Sequence, residues 1–184
     1  AIRKAARDYA IENELDFFDI ANKEGFLRAL TIRMTSTAEI MVLFQFFYED
    51  ESKRLGLLNY IKEKFPEITS LLYTINNKGN ETIFDLDIIT FSGSECIYEE
   101  MEGLKFKIGP KSFYQTNSEQ AYRLYKVTRE FAQIEKNDIV YDLYTGTGTI
   151  AQFVVENAYK VIGVESVPEA IEAAKENAKN NGID

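Results

Sequence analysis

The segment Val140-Tyr141-Asp142-Leu143-Tyr144-Thr145-Gly146-Thr147-Gly148-Thr149-Ile150-Ala151 carries the residue types and spacing most suited to chemistry. A strand that runs into glycines and then a helix start is a ligand turn. Glycine allows the backbone to bend sharply and approach a ligand, and amides at the helix start favour ligand oxygens. Gly146-x-Gly148-x-x-Ala151 formally matches the dinucleotide fingerprint, and Glu165 lies 19 residues beyond Gly146, at the end of the next predicted strand. A carboxylate there would accept from ribose hydroxyls, so a nucleotide-like cofactor is expected. The bland alternative is a structural turn in which Asp142 merely bonds backbone amides.

Other chemistries are excluded by composition. With no histidine and a single cysteine, Cys96, these residues hold no disulfide, no Cys/His zinc site, no Ser-His-Asp or Cys-His arrangement and no imidazole base. Cys96 lies in the acidic stretch Ser94-Glu95-Cys96-Ile97-Tyr98-Glu99-Glu100. Neighbouring carboxylates oppose thiolate formation, and an inert structural thiol is expected. One cysteine cannot ligate an iron–sulfur cluster, and no metal site is expected.

The elements that must position the turn alternate strictly from Asp138 onward. Ile139–Leu143 reads as a strand, residues 149–158 as a helix, and Lys160–Glu165 as a second strand. A final helix follows, with Pro168 in its first turn, Glu169 and Glu172 at its positive end, Lys175 and Lys179 at its negative end, and Gly182 as cap. This pattern is the start of a parallel βαβ unit. The first hundred residues instead predict α+β structure. Leu30, Ile32 and Met34 alternate, Thr35-Ser36-Thr37 turns, and Ile40–Phe44 suits a buried strand. Leu57, Leu58, Ile61 and Phe65 then share a helical face ended by Pro66. Leu71–Ile75 and the alternating Phe84, Leu86 and Ile88 predict a second hairpin around Asn76–Asn80. A boundary is expected near Gly109-Pro110, with a helix over about 118–132 leading into the second domain.

The 184 residues carry 21 Lys/Arg against 30 Asp/Glu, a net charge of −9 that opposes a polyanion-binding surface over the whole molecule. Residues 104–130 run the other way, with six basic residues against two acidic. Lys105, Lys107, Lys111, Arg123, Lys126 and Arg129 form either a local basic strip or an ordinary solvated face. No apolar stretch is long enough to span a bilayer, and the charged start Ala1-Ile2-Arg3-Lys4 leads into no signal-like segment, so a cytoplasmic protein is expected. The chain begins without methionine and stops at Asn181-Gly182-Ile183-Asp184, which reads as the middle of a larger fold.

Asp142 gives the turn a more specific resemblance. Dinucleotide folds generally run an apolar strand up to their glycines, whereas an acidic residue four positions before the first glycine resembles the first motif of S-adenosylmethionine-dependent methyltransferases. Three ordered segments then sharpen it: Lys111-Ser112-Phe113-Tyr114-Gln115-Thr116-Asn117, Asp142 to Thr149, and Gly163-Val164-Glu165-Ser166-Val167-Pro168-Glu169-Ala170. Together they resemble the RNA uracil-5-methyltransferases, especially the 23S rRNA branch, and Gly25–Arg33 is similar to that family's central domain.

The resemblance implies an α+β central domain over 1–109, followed over 110–184 by the first half of an α/β Rossmann-like methyltransferase domain that takes S-adenosylmethionine. It places cofactor contacts on Gln115, Asp142, Tyr144, Gly146, Gly148, Thr149 and Glu165, with RNA, in particular 23S rRNA, as partner of the complete enzyme. Gln115 could equally cap the following helix and Tyr144 could be packing, and Thr149 departs from members with an amide side chain there. The family's mechanism adds a cysteine thiolate to carbon 6 of uracil, methylates carbon 5, and removes the carbon 5 proton with a glutamate. Both groups come from later in the family's chain, so residues 1–184 alone are expected to be inactive. A methyltransferase for another substrate, a nicotinamide-dependent oxidoreductase and a non-catalytic RNA-binding module remain the alternatives.

Overall fold

The computed structural model describes residues 1–183, which fall into two compact units. The first comprises residues 1–34, 38–97 and 109–111. It contains α1 (Ile2–Glu12), β1 (Leu27–Met34), β2 (Ile40–Phe46), α2 (Glu51–Lys64), β3 (Ser70–Ile75) and β4 (Ile89–Gly93), with the sheet ordered β1-β2-β3-β4. Every residue of β2 is buried, as a central strand covered on both faces requires. It pairs antiparallel with β1 across the 35–37 turn and parallel with β3, and α2 is the crossover that the parallel pair needs.

Local chemistry sets the helix ends. The Asp50 carboxylate accepts from the Lys53 amide at 3.1 Å, Glu51 opposes the positive end of α2, and Lys62 and Lys64 oppose the negative end. Leu57, Leu58 and Ile61 are fully buried against the sheet, each contributing roughly 1.5–3 kcal/mol. On α1, Ile2, Ala5, Ala6 and Ala10 form a buried stripe in the same core. The small size of the three alanines allows close approach, and the spacing is the signal by which this helix is recognisable.

The second hairpin departs from expectation. Residues 84–88 are not a strand; β4 begins at Ile89, after a long loop over 76–88. The guanidinium of Arg28 donates to the carbonyls of Asn76, Lys78 and Asn80 at 3.1, 2.9 and 2.8 Å. Asn76 donates from its buried side chain to Gln45 at 3.0 Å. Bonds from elsewhere in the sheet thus fix the loop, and the period-two alternation of Phe84, Leu86 and Ile88 is not used for pairing.

The second unit comprises residues 35–37, 98–108 and those from 112 onward. Its elements are β5 (Ile97–Met101), β6 (Leu104–Ile108), α3 (Ser118–Ala132), β7 (Ile139–Leu143), α4 (Thr149–Val154), β8 (Lys160–Val164) and α5 (Pro168–Asn180); a single 3-10 turn, Val155–Asn157, extends α4. Strands β5 and β6, which precede Gly109-Pro110, cluster with this unit. They join through Glu102 and Gly103, both at positive φ, the geometry of a tight hairpin. β7 and β8 pair in parallel, from Ile139 opposite Lys160 to Leu143 opposite Val164. Met101, Phe106, Ala121, Tyr125, Phe153 and Val154 make the core between these elements. Glu99, 1% exposed, is satisfied by the Ser36 amide at 3.0 Å, the Glu100 amide at 3.1 Å and the hydroxyls of Ser36 and Ser118.

Candidate functional site

The parallel register places Asp142 opposite Gly163, at the carboxyl ends of β7 and β8, where open α/β sheets bind ligands. Asp142 Oδ2 accepts from the Thr145 hydroxyl at 2.6 Å and from the Ala151 amide at 3.0 Å. Helix α4 has Gly148 as its N-cap and no capping side chain of its own. Asp142 supplies the cap from the strand, with its charge at the favourable end of the dipole. Thr145 is further held by its amide, which donates to Val164 O at 3.1 Å. Gly163 makes this possible, because a Cβ there would stand 2.9 Å from Thr145 Cγ2.

Glu165 closes the other side of the turn. Its Oε2 accepts from the Gly146 amide at 3.0 Å, and its Oε1 from the amides of Ser166 at 2.7 Å and Val167 at 3.0 Å. Those backbone bonds, Val167 first, then Ser166 and Gly146, hold its pKa below the ordinary glutamate value. Oε2 takes one protein donor and retains acceptor capacity for a hydroxyl. Tyr144, at φ +63°, is 88% exposed, and a Cβ on Gly146 would meet nothing within 4 Å. The turn therefore presents an aromatic ring, open space and a carboxylate together.

The helix-start amides are less available than the glycine pattern suggests, since Asp142 takes Ala151, Thr145 O takes Gly148 and Glu165 takes Gly146. A pyrophosphate here would meet two carboxylates; a ligand carrying a cation and ribose hydroxyls suits the charge better. Thr149 is turned inward, 7% exposed, with its hydroxyl 3.3 Å from that of Thr147. Gly148, at φ +78°, packs where a Cβ would lie 3.1 Å from Ala174 Cβ. Gln115 lies on the exposed segment before α3 and has no hydrogen bond to the turn among the described residues; Asn117, not Gln115, caps α3 by accepting from Gln120 at 3.0 Å.

Two residues that the sequence pattern does not single out steady the turn. Asn177, fully buried on α5, donates to Thr147 O at 3.1 Å and accepts from the Lys107 amide at 2.8 Å. Asn181, one turn further, accepts from the Lys105 amide at 2.8 Å and donates to Gln152 at 2.8 Å. The pair mimics a neighbouring strand along β6 and ties it to the glycine turn. Two asparagines at helical spacing, one in the last turns of the helix and one at its C-cap, are the sequence signal.

The basic strip is largely engaged. Arg129 forms a two-bond pair with Glu102 at 2.8 and 3.1 Å, which raises the arginine and lowers the glutamate pKa. Lys107 pairs with Glu176 at 3.0 Å, Arg123 with Glu119 at 2.6 Å, and Lys126 sits 5.4 Å from the Tyr122 ring centroid. Lys111 belongs to the first unit and donates to Phe84 O at 2.9 Å. Of the six, Lys105 alone has no side-chain bond or pairing among the described residues. Lys107 and Arg129 are matched by acids from outside the stretch. Cys96 is buried in the first unit at 6% exposure. Among the described residues no cluster suits a metal ion, and no helix is long and apolar enough to cross a membrane.

No protein-family model matches the chain. It is 58% identical over 99% of its length to an uncharacterized RNA methyltransferase of Bacteroides thetaiotaomicron, and 56% identical over all of its length to one of Porphyromonas gingivalis. The chain spans 41% and 40% of those relatives, about two fifths of each. Among solved structures, a Pyrococcus abyssi tRNA (uracil-54, C5)-methyltransferase in complex with S-adenosyl-L-homocysteine is 28% identical, with a TM-score of 0.80 over 98% of this chain and 43% of that one. An M. jannaschii tRNA m1G37 methyltransferase is similar in fold, at 16% identity and a TM-score of 0.57 over 99% of this chain and 49% of that one.

Proposed function

We propose that the complete protein transfers a methyl group from S-adenosylmethionine to carbon 5 of uridine in RNA. Residues 1–109 would be its central domain and residues 110–184 the first half of its Rossmann-like cofactor domain. The observation that carries this reading is the likeness of nearly the whole chain, at 28% identity, to a uracil-5 methyltransferase of tRNA. The RNA methyltransferase relatives support the same reaction class and the same cofactor.

The residues present fit that cofactor. The space above Gly146 is open, and the carboxylates of Asp142 and Glu165 suit a ligand that carries an amino group and a sulfonium. When bound, the cofactor supplies an electrophilic methyl group. Glu165 Oε2 accepts from the ribose hydroxyls while its Oε1 stays on the Ser166 and Val167 amides. Tyr144 provides an aromatic wall and Gln115 bonds the methionine portion. Asp142 keeps the turn closed on α4, Gly146 and Gly148 let the backbone approach, and Thr149 supports the turn from beneath. By the family resemblance, the nucleophilic cysteine and the base come from later in the complete chain; Cys96 is buried in the first unit. Residues 1–184 alone are therefore inactive in this reading.

Ribosomal RNA, specifically 23S rRNA, is the substrate that the motif resemblance favours; the solved relative's tRNA substrate favours tRNA as the second reading. Incubation of the complete protein with unmodified 23S rRNA or tRNA and labelled S-adenosylmethionine, followed by nucleoside mass spectrometry, tests both. 5-Methyluridine in rRNA supports the first reading and 5-methyluridine in tRNA the second. Label at any other nucleoside or position overturns the assignment to carbon 5 of uridine.

A further inference from the structure

The first unit contains a feature suited to RNA, built from residues other than those of the turn. A groove of about 560 Å³ lies between α1 and β1. Its lining includes Arg3, Lys4, Arg7 and Arg28 and no acidic residue, although residues 1–103 as a whole are strongly acidic. Leu30 and Phe44 contribute apolar surface, and Phe17 stands at the groove 52% exposed.

The placement of its side chains distinguishes this groove from an ordinary charged face. Arg3, Lys4 and Arg7 are all exposed and share one side of α1. Arg3 and Lys4 occupy the first turn of the helix, its positive end, which contains no acid, so their placement costs helix stability unless an anion is nearby. Arg7 touches Asp8, but that pair is 62% and 40% exposed and yields readily to a stronger partner. Phe17 is held in place by a bridge to Leu27, next to Gly25, where a Cβ would come within 2.3 Å of Phe17 O. Arg28 is committed to the 76–80 carbonyls, which fixes the groove wall; its buried Nε has no hydrogen-bond partner.

Movable cations over an apolar floor with an exposed ring form a surface that takes phosphate and an unstacked base together. We infer that this groove binds a single-stranded segment of the RNA substrate, with Arg3, Lys4 and Arg7 on successive phosphates and Phe17 against a base. The inference rests on the RNA methyltransferase reading above and places contact on residues other than the 104–130 strip, in which Lys107 and Arg129 are paired with Glu176 and Glu102.

The test uses the complete protein, a fluorescein-labelled uridine-rich 12-mer RNA read by anisotropy, and S-adenosylhomocysteine read by calorimetry. R3E/K4E/R7E is expected to weaken RNA binding at least tenfold at about 0.1 M salt and to reduce the slope of log affinity against log salt by about 2. F17A is expected to weaken it at least about fivefold with the slope unchanged. Both variants should melt near the parent temperature and bind S-adenosylhomocysteine as the parent does. RNA affinity unchanged in the triple variant overturns the groove while leaving the enzyme reading intact. Competition by polyglutamate as effective as competition by unlabelled RNA, with no effect of F17A, makes it a general anion surface and also overturns the inference. A parent that binds S-adenosylhomocysteine but no RNA overturns the RNA reading itself.

Discussion

Asp142 caps a helix that has no cap of its own: its Oδ2 accepts the Ala151 amide at 3.0 Å across the glycine turn, while Gly148 occupies the N-cap position. The same oxygen holds Thr145 at 2.6 Å, so one carboxylate joins strand, turn and helix. Asp142→Ala should cost about 1–2 kcal/mol of stability and weaken S-adenosylhomocysteine binding. Asp142→Asn, which retains an acceptor, should recover most of the stability and less of the affinity, because it lacks the charge. Thermal melts and calorimetry on the complete protein separate the two effects; equal recovery of both would reduce Asp142 to a cap.

Gly163 and Thr145 are matched in size. Gly163→Ala places a methyl group 2.9 Å from Thr145 Cγ2, and overpacking of this kind costs roughly 1–3 kcal/mol. Thr145→Ser removes Cγ2 and keeps the hydroxyl on Asp142. The double variant should therefore be more stable than Gly163→Ala alone, a coupling that a double-mutant cycle measures. Additive effects would show that the strain lies elsewhere.

Glu165 should make the turn sensitive to acid. Backbone amides lower its pKa in the folded protein, so its contribution is complete above the unfolded glutamate value and is lost as pH falls through the folded one. Affinity for S-adenosylhomocysteine should be flat from neutral pH down to the ordinary glutamate value and decline only below it, where the protonated carboxyl loses acceptor strength. Glu165→Gln should be weaker throughout and should lack the acid decline. The same decline in Glu165→Gln would assign it to another group.

Asn177 carries two buried bonds whose loss leaves the Lys107 amide and the Thr147 carbonyl unsatisfied. Asn177→Ala should destabilise the protein by about 2–4 kcal/mol. Hydrogen exchange at the Lys107 amide should accelerate more than at the Ile139–Leu143 amides, since β7 does not depend on this side chain. Uniform acceleration would indicate global unfolding instead.

Local signals in the sequence identify Asp142, both glycines and Glu165 because strand, turn and next strand lie within a short span of chain. The parallel pairing of β7 and β8, the β1–β2 hairpin and the buried face of α2 are legible for the same reason: hydrophobic period and caps are local. What escapes is decided by distant partners. Residues 84–88 have a strand's alternation, but Arg28, far earlier in the chain, collects the carbonyls of the preceding loop. The charges of Arg129 and Lys107 are cancelled by Glu102 and Glu176, which no scan of one segment reveals. Asn177 and Asn181 read as weak helix residues until β6 is seen beside them.

The most direct measurement is paired calorimetric titration of S-adenosylhomocysteine and NAD into the complete protein and its Glu165→Ala variant. Saturable binding of S-adenosylhomocysteine that weakens at least tenfold in the variant, with no binding of NAD, is the expected result. Saturable NAD binding without S-adenosylhomocysteine binding would contradict the assignment of this turn to a methyl donor.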